Sequence, residues 1–299
     1  MNNTKLIVAI VFMVVLFPAA GQEAHISFDA TASVDWSRGE LSAQASFDLA
    51  QAGLKLPSGR YMGEEILNDA YPQLLRPYIL SLRVDSNSTV GKLMDQRVFS
   101  LEELDGLSRS AVKIPPSLSA DLAQMIGRYT VSIEKISAFL TRHNGKTEPE
   151  RPLIPVQAAD YTGIIIVADT ELPVHGRNTR ALAEPCIFPK IWDTDMKLIY
   201  DKDMTDPLRK EGTLITRYVT SDSIFRPTPS GLEGDLAAFL GPNPLRILAR
   251  ELFGINPTDI VIDRTDALKI ISTDNNRRLL REGRLALVLN AAQLTSTVK

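Results

Sequence analysis

Strict alternation of apolar and polar residues begins at Ile26. Ile26, Phe28, Ala30, Ala32, Val34 and Trp36 interleave with Ser27, Asp29, Thr31, Ser33 and Asp35, and after Ser37-Arg38-Gly39-Glu40 the pattern resumes through Leu41, Ala43, Ala45, Phe47 and Leu49. Successive side chains of a strand point to opposite faces, so this period of two predicts a long antiparallel hairpin with one buried face. Gly53 and the Pro57-Ser58-Gly59 turn end it.

The period then changes. Ile66, Leu67, Ala70, Tyr71, Leu74, Leu75, Tyr78, Ile79 and Leu82 recur at helical spacing, which predicts a helical face packed onto the hairpin. Pro72 and Pro77 lie inside it, and an interior proline removes a backbone donor and clashes with the preceding turn. Two short helices, or a helix running into a strand, are the expected outcomes. Two later stretches share an outline, in which a short extended run (Val98-Phe99; Tyr129, Val131, Ile133) passes through a serine into an apolar helix. Ser100 and Ser132 are the expected helix caps.

Gly145, Pro149, Pro152 and Pro155 stand among charged residues between positions 143 and 160, a composition that suits an exposed connector. Beyond it, Gly163–Val167 reads as a buried strand, and Ile191-Trp192 and Leu198-Ile199-Tyr200 flank the turn Asp193-Thr194-Asp195 as a second hairpin. The end of the chain reads as a strand over Asp259–Ile262, a helix from Thr265 to Leu280 and a strand over Leu285–Leu289. The expected fold class is α+β. It comprises two small domains of antiparallel hairpins packed with short helices, closing on a C-terminal strand-helix-strand. The expected divisions are a signal peptide at 1–21, an N-terminal domain at 22–145, a proline-rich linker at 146–158 and a second domain at 159–299.

The amino terminus bears on compartment. Lys5 precedes the twelve apolar residues Leu6 to Phe17, and Pro18-Ala19-Ala20-Gly21 follows. This order matches a cleavable signal peptide, with Ala19 and Gly21 at the positions a signal peptidase inspects and cleavage before Gln22. The apolar run falls short of the roughly 20 residues of a comfortable membrane span, so the expected mature protein is periplasmic, without stable membrane insertion. Residues 18–30 contain no cysteine to carry a lipid anchor.

Composition narrows the partners. Of 299 residues, 44% are hydrophobic and 23% charged, which excludes disordered, collagen-like and multi-span membrane classes. A formal charge of -3 gives no global attraction to nucleic acid. Cys186 is the single cysteine, so neither an internal disulfide nor a thiolate metal cluster can form. Set between Pro185 and Ile187-Phe188, it is expected to be packed inside as a small apolar group.

No motif with a known catalytic mechanism stands in the chain. His25, His143 and His175 lie in three separate regions. Ser132-Ile133-Glu134-Lys135 matches the Ser-x-x-Lys pattern without its companion elements and reads as a helix cap followed by a solvated face. Asp193, Asp195, Asp201, Asp203 and Asp206 lack the glycine spacing of a calcium loop and read as turn residues. Arg277, Arg281 and Arg284 recur at helical spacing and are the candidate surface for an acidic partner. His175, Arg177 and Arg180, in the loop from Val174 to Pro185, are the candidate anion-binding group. No catalytic, cofactor or metal residues are assigned, and no cofactor is expected.

The C-terminal half resembles the FlgP-like flagellar outer-membrane lipoproteins and their periplasmic relatives. The likeness rests on Tyr161-Thr162-Gly163-Ile164-Ile165-Ile166-Val167, Pro189-Lys190-Ile191, Asp193, Asp195 and Tyr200. It continues through Gly241-Pro242-Asn243-Pro244-Leu245, Asp259-Ile260-Val261-Ile262, Ala267 and Gly283-Arg284-Leu285-Ala286-Leu287-Val288-Leu289, covering about residues 160–290. The resemblance implies a non-catalytic part of an envelope assembly around the flagellar motor. The absent lipidated cysteine and the extra N-terminal domain depart from that family. The expected function is therefore that of a non-enzymatic periplasmic structural or interaction protein whose partners are envelope or flagellar proteins, and a homo-oligomer is compatible with it. The alternative expectation is a periplasmic hydrolase or ligand-binding module using the His175 loop or the Asp193–Asp206 carboxylates.

Overall fold

The computed structural model describes residues 26–141, 147–205 and 216–298. The expected signal segment, His25, His143 and Asp206 lie outside them.

The alternating residues form β1 (Asp29–Asp35) and β2 (Glu40–Asp48), paired antiparallel with Val34 opposite Leu41. Their inward residues Val34, Leu41, Ala45 and Phe47 are buried. The turn closes because Gly39 adopts a positive φ of 66° and the Asp35 carboxylate accepts the Ser37 and Arg38 N–H groups.

One uninterrupted helix follows, α1 (Gly59–Ser81), with Pro72 and Pro77 inside it. This corrects the expected break. Leu67, Tyr71, Leu75 and Ile79 form a stripe buried to 4% exposure or less, lying across β2 and a later strand of the same sheet. Burying the three aliphatic members contributes on the order of 5–9 kcal/mol, against about 3 kcal/mol or more for each interior proline. The stacking of Tyr71 on Tyr129 and the bond from Tyr78 Oη to the Ala30 carbonyl at 2.6 Å add to the helix's side. Tertiary packing decides the outcome.

Next come α2 (Val90–Asp95) and α3 (Leu101–Arg109). Ser100 caps α3 as expected, in a capping box with Glu103. Val98-Phe99, however, lies in a bend after α2, so the likeness to residues 129–133 does not extend to a strand. The first domain continues with β3 (Val112–Leu118), β4 (Gln124–Ser132) and α4 (Ile133–Thr141).

The second domain contains β5 (Ile164–Ala168), the short ribbon β6 (Leu172–Pro173) and β7 (Arg180–Ala181), and the hairpin β8 (Ile191–Asp193) and β9 (Leu198–Tyr200). It goes on through β10 (Thr216–Val219), α5 (Gly234–Leu240), β11 (Leu245–Phe253) and β12 (Asp259–Ile262). In place of one helix over 265–280 there are two, α6 (Arg264–Ile271) and α7 (Asp274–Arg281). Thr273, extended between them, accepts the Asn276 N–H at 3.1 Å and restarts the helix as its cap. Then come β13 (Leu285–Leu289) and β14 (Thr295–Val298).

The large sheet runs β10-β13-β5-β11-β12-β8-β9. Its first four strands are parallel, and both β12 and β9 run antiparallel to a neighbour. Every residue of β12 and β13 is buried, which explains their apolar composition, broken only by Asp259 at the start of β12. The architecture is α+β with two domains, as expected.

The two domains are not independent along the chain. The smaller sheet runs β14-β1-β2-β4-β3, so a strand following the second domain returns to pair with β1, placing Ser296 opposite Val34. The expected division at 159–299 is crossed by this strand. A single core also spans both sheets. No helix among the described residues is long and apolar enough to cross a membrane.

Candidate functional site

The candidate site lies where the domains meet. The loop after α1 enters the second domain, and Arg83 and Val84 accept through their carbonyls the N–H groups of Ile187 at 3.0 Å and Phe188 at 2.7 Å. Two residues further on, Ser86 is buried against Gly254 and Asp259. Asp259 Oδ2 accepts from Ser86 Oγ at 3.1 Å and Trp192 Nε1 at 3.3 Å, while Oδ1 accepts from Thr258 Oγ1 at 3.2 Å. Burial raises the Asp259 pKa above the ordinary carboxylate value of 3.8, and these donors together with Lys190 offset only part of the rise.

A second junction contact joins Trp36, at the end of β1, to the edge of the Tyr218 ring 5.8 Å away. Tyr218 Oη in turn donates to the Cys186 carbonyl at 2.7 Å and accepts the Cys186 N–H at 3.1 Å. Cys186 is unpaired and fully buried, as expected, and burial pushes its thiol pKa well up, so it carries no thiolate reactivity while the junction is closed. Ser137 Oγ and Thr216 Oγ1 face the same small interior space without a hydrogen-bond partner among the described residues.

Between these fixed contacts the surface opens into a cleft of about 440 Å³. Val34, Trp36, Ser81, Leu82 and Arg83 contribute from the first domain, Glu184 and Pro185 from the second, and Gln293 with Ser296, Thr297 and Val298 from the returning segment. Val34 and Ser296 face each other across the β1–β14 pair and both line the cavity, with Thr297 and Val298 beside them, at the outer edge of the smaller sheet. That edge has no strand partner among the described residues, since β14 ends the sheet order. Arg83 and Glu184 form an ion pair at the cleft with both side chains about one-third exposed. The cleft is therefore partly apolar, carries one charge of each sign and lies beside an edge strand. Such a surface suits an extended polypeptide segment.

The residues singled out from sequence are placed differently. His175 Nδ1 meets Glu251 Oε2 at 2.6 Å, and its N–H donates to the Leu252 carbonyl at 2.7 Å, pinning the loop to β11. Arg177 donates to the Ile255 carbonyl at 3.3 Å and Arg180 to the Glu171 carbonyl at 2.5 Å. Each of the three is fastened to a separate group, so the expected anion-binding cluster is not assembled. Asp193 closes its own turn by accepting the Asp195 and Lys197 N–H groups, Asp201 caps a short turn, and Asp195 pairs with Arg264 at 2.8 Å. Among the described residues no group of three or more His, Cys, Asp or Glu is placed to hold a metal ion. Lys135 Nζ donates to the Ser110 carbonyl, away from Ser-x-x-Lys chemistry.

The expected arginine stripe is also corrected. Arg277 is 8% exposed, its guanidinium held by the Ile271 carbonyl and Asp274. Arg284 lies beyond the end of α7 and pairs with Glu282 at 2.9 Å, while Arg281 pairs with Glu148 at 3.4 Å. Helical spacing placed Arg277 on a charged face, but it stands in the first turn of α7, next to the end of α6, and turns in to satisfy the Ile271 carbonyl there. Sequence reasoning passed over Arg83, Ser86 and β14, none of which carries a motif; Asp259 was read only as a strand residue, and Glu184 only fell within the loop from Val174 to Pro185.

Comparison with known families matches residues 27–139 to the N-terminal domain of Treponema pallidum Tp0624 and residues 163–291 to the second domain of the same protein. No curated protein matches the chain.

Proposed function

Since this chain carries the N-terminal and second domains of the Treponema pallidum Tp0624 type in that order, we propose that it is a non-catalytic interaction protein of the cell envelope. In this reading its amino-terminal segment exports it to the periplasm, and its work is to hold a partner in the cleft between the domains. The observation that carries the reading is that the edge strand β14 lines that cleft beside Trp36, Leu82 and the Arg83–Glu184 pair. An extended segment lying there gains main-chain hydrogen bonds from the strand edge and apolar contact from the walls. The resemblance of residues 160–290 to FlgP-type proteins rests on sequence motifs alone, and it is the ground for proposing an envelope setting that serves the flagellar apparatus. The neutral charge balance gives no reason to expect nucleic acid as partner.

The competing reading, a hydrolase centred on His175, draws on the His175–Glu251 contact. That contact fastens a loop, and the cleft is lined by other residues. The test places a photocrosslinking residue at Thr297 in the native cell and identifies adducts by mass spectrometry. An adduct to an envelope protein, or to a second copy of this chain, is the expected result. An absence of adducts at Thr297, with His175→Ala abolishing the cellular phenotype in a folded protein, overturns the proposal.

A further inference from the structure

The small interior space beside Tyr218 is built by both domains. Trp36, Gly39, Ile133 and Ser137 line it from the first, and Cys186, Ile187, Thr216 and Tyr218 from the second. All of these residues are buried. Ser137, at 3% exposure, and Thr216, at 4%, bring to it the two hydroxyls that have no hydrogen-bond partner among the described residues.

The Ser137 hydroxyl has an obvious local partner and does not take it. A serine inside a helix can bond back to the carbonyl four residues earlier, and Ser108 does so, donating to the Leu104 carbonyl at 3.1 Å. Ser137 stands in α4 with Ile133 at the same offset, yet makes no such bond. Thr216 begins β10 opposite Leu285, an apolar neighbour that offers its hydroxyl nothing. A buried hydroxyl left dry lowers the folding equilibrium constant by about fivefold to a hundredfold. Two such losses on the walls of one space call for a shared partner.

The size and chemistry of the space select that partner. Its volume is about 10 Å³, enough for one water molecule and too little for an organic ligand. No carboxylate lines it, so it makes a poor cation site. A buried water makes about two to four hydrogen bonds. The two hydroxyls supply two. The Tyr218 hydroxyl, which donates to the Cys186 carbonyl and accepts the Cys186 N–H, keeps one lone pair for a third.

We propose that this space binds a single ordered water, held between Ser137 Oγ and Thr216 Oγ1, which joins α4 of the first domain to β10 of the second. A water bridge of this kind is nearly as favourable as a direct hydrogen bond, so two unmet hydroxyls become one link across the junction. With every lining residue buried, the water exchanges with solvent only as the junction opens. The site stands independently of any partner in the cleft.

A double-mutant cycle on the full-length protein, followed by denaturant unfolding, tests this. Ser137→Ala and Thr216→Val each remove one hydroxyl, the second with little change of shape. Each alone is expected to lower the folding equilibrium constant by about fivefold or more. The second substitution should cost much less in the background of the first, because the bridge is already gone. In a dry space each substitution would instead remove a desolvated hydroxyl and raise stability. That result, or two losses that simply add, overturns the proposal. A high-resolution crystal structure of the unsubstituted protein gives a readout that does not depend on the variants folding. Density for a water within about 3.2 Å of both hydroxyls is expected. An empty space, or hydroxyls bonded to protein groups alone, overturns the bridge.

Discussion

Ser86 Oγ donates to Asp259 Oδ2 at 3.1 Å, tying the loop after α1 to the first residue of β12 across the domain junction. Both residues are 1% exposed. The carboxylate is therefore removed from water and held by the hydroxyl, an indole N–H and the Thr258 hydroxyl. Three neutral donors compensate a buried charge only in part, which is why the Asp259 pKa stands above its ordinary value. The lock that fixes the cleft walls thus contains a group whose charge weakens it.

Asp259→Asn makes this testable. An amide oriented with its oxygen toward Ser86 and Trp192 and its nitrogen toward Thr258 Oγ1 keeps the same contacts without the charge. A raised folded-state pKa means that the native protein holds a proton the unfolded chain has released. The contribution of Asp259 is then greatest below about 3.8 and is lost as pH rises through the elevated folded value. The stability of Asp259→Asn relative to wild type is expected to increase over that rise and level off above it. Denaturant unfolding of both proteins from acid to neutral pH measures the difference. A constant difference, or one of opposite slope, removes the argument.

Gly254 explains how the loop comes so close. Its φ is +104°, and a Cβ placed there would lie 2.4 Å from Ser86 Cβ and 2.7 Å from Ser86 Oγ. Gly254→Ala combines an unfavourable backbone region with a collision between domains, and is expected to cost more than about 2 kcal/mol. In the Ser86→Gly background the collision disappears while the backbone strain remains, so the second substitution should recover part of the loss. Additive losses in the double mutant would show that the two residues do not press on each other.

How much of this was legible in the sequence depends on the range of the interaction. The β1–β2 hairpin, the cap at Ser100 and the buried strands β5, β12 and β13 follow from local period and capping chemistry. The continuity of α1 through two prolines was hidden because it depends on what α1 packs against. The same holds for Arg277, where helical spacing is satisfied but the nearby end of α6 takes up its guanidinium. The cleft was the least legible feature. It is assembled from three stretches far apart in the chain, and a Thr-Ser-Thr-Val run such as β14 gives no sign of which edge it will join.

Arg277 and Arg281 separate a structural from a surface arginine. Arg277→Met leaves the Ile271 carbonyl at the end of α6 without its donor, and is expected to cost about 1–3 kcal/mol. Arg281→Glu loses only an exposed pair with Glu148 at 3.4 Å, worth less than about 0.5 kcal/mol. Thermal or denaturant unfolding of the two variants checks the order. Equal small effects would return Arg277 to the surface and restore the arginine stripe as a docking face.

β14 closes the smaller sheet from the far side of the second domain, so its loss should be felt in both domains. Deleting residues from Thr295 onward strips the outer edge of β1 and uncovers the wall beside Val34, while Leu294 stays to accept the Trp36 N–H at 2.8 Å. The strand is short and mostly exposed, so a loss of about 1–3 kcal/mol is expected, with folding retained. The buried Cys186 thiol supplies the local readout, because it reacts only when the Trp36–Tyr218 contact parts. In the full-length protein a thiol reagent should label Cys186 no faster than the junction opens. In the truncated protein labelling should accelerate by more than the change in global stability predicts, because the junction loses its tie to β1 directly. Acceleration equal to the global change would mean that β14 steadies the fold without bracing the junction. Unchanged labelling and unchanged stability would mean that β14 contributes to neither.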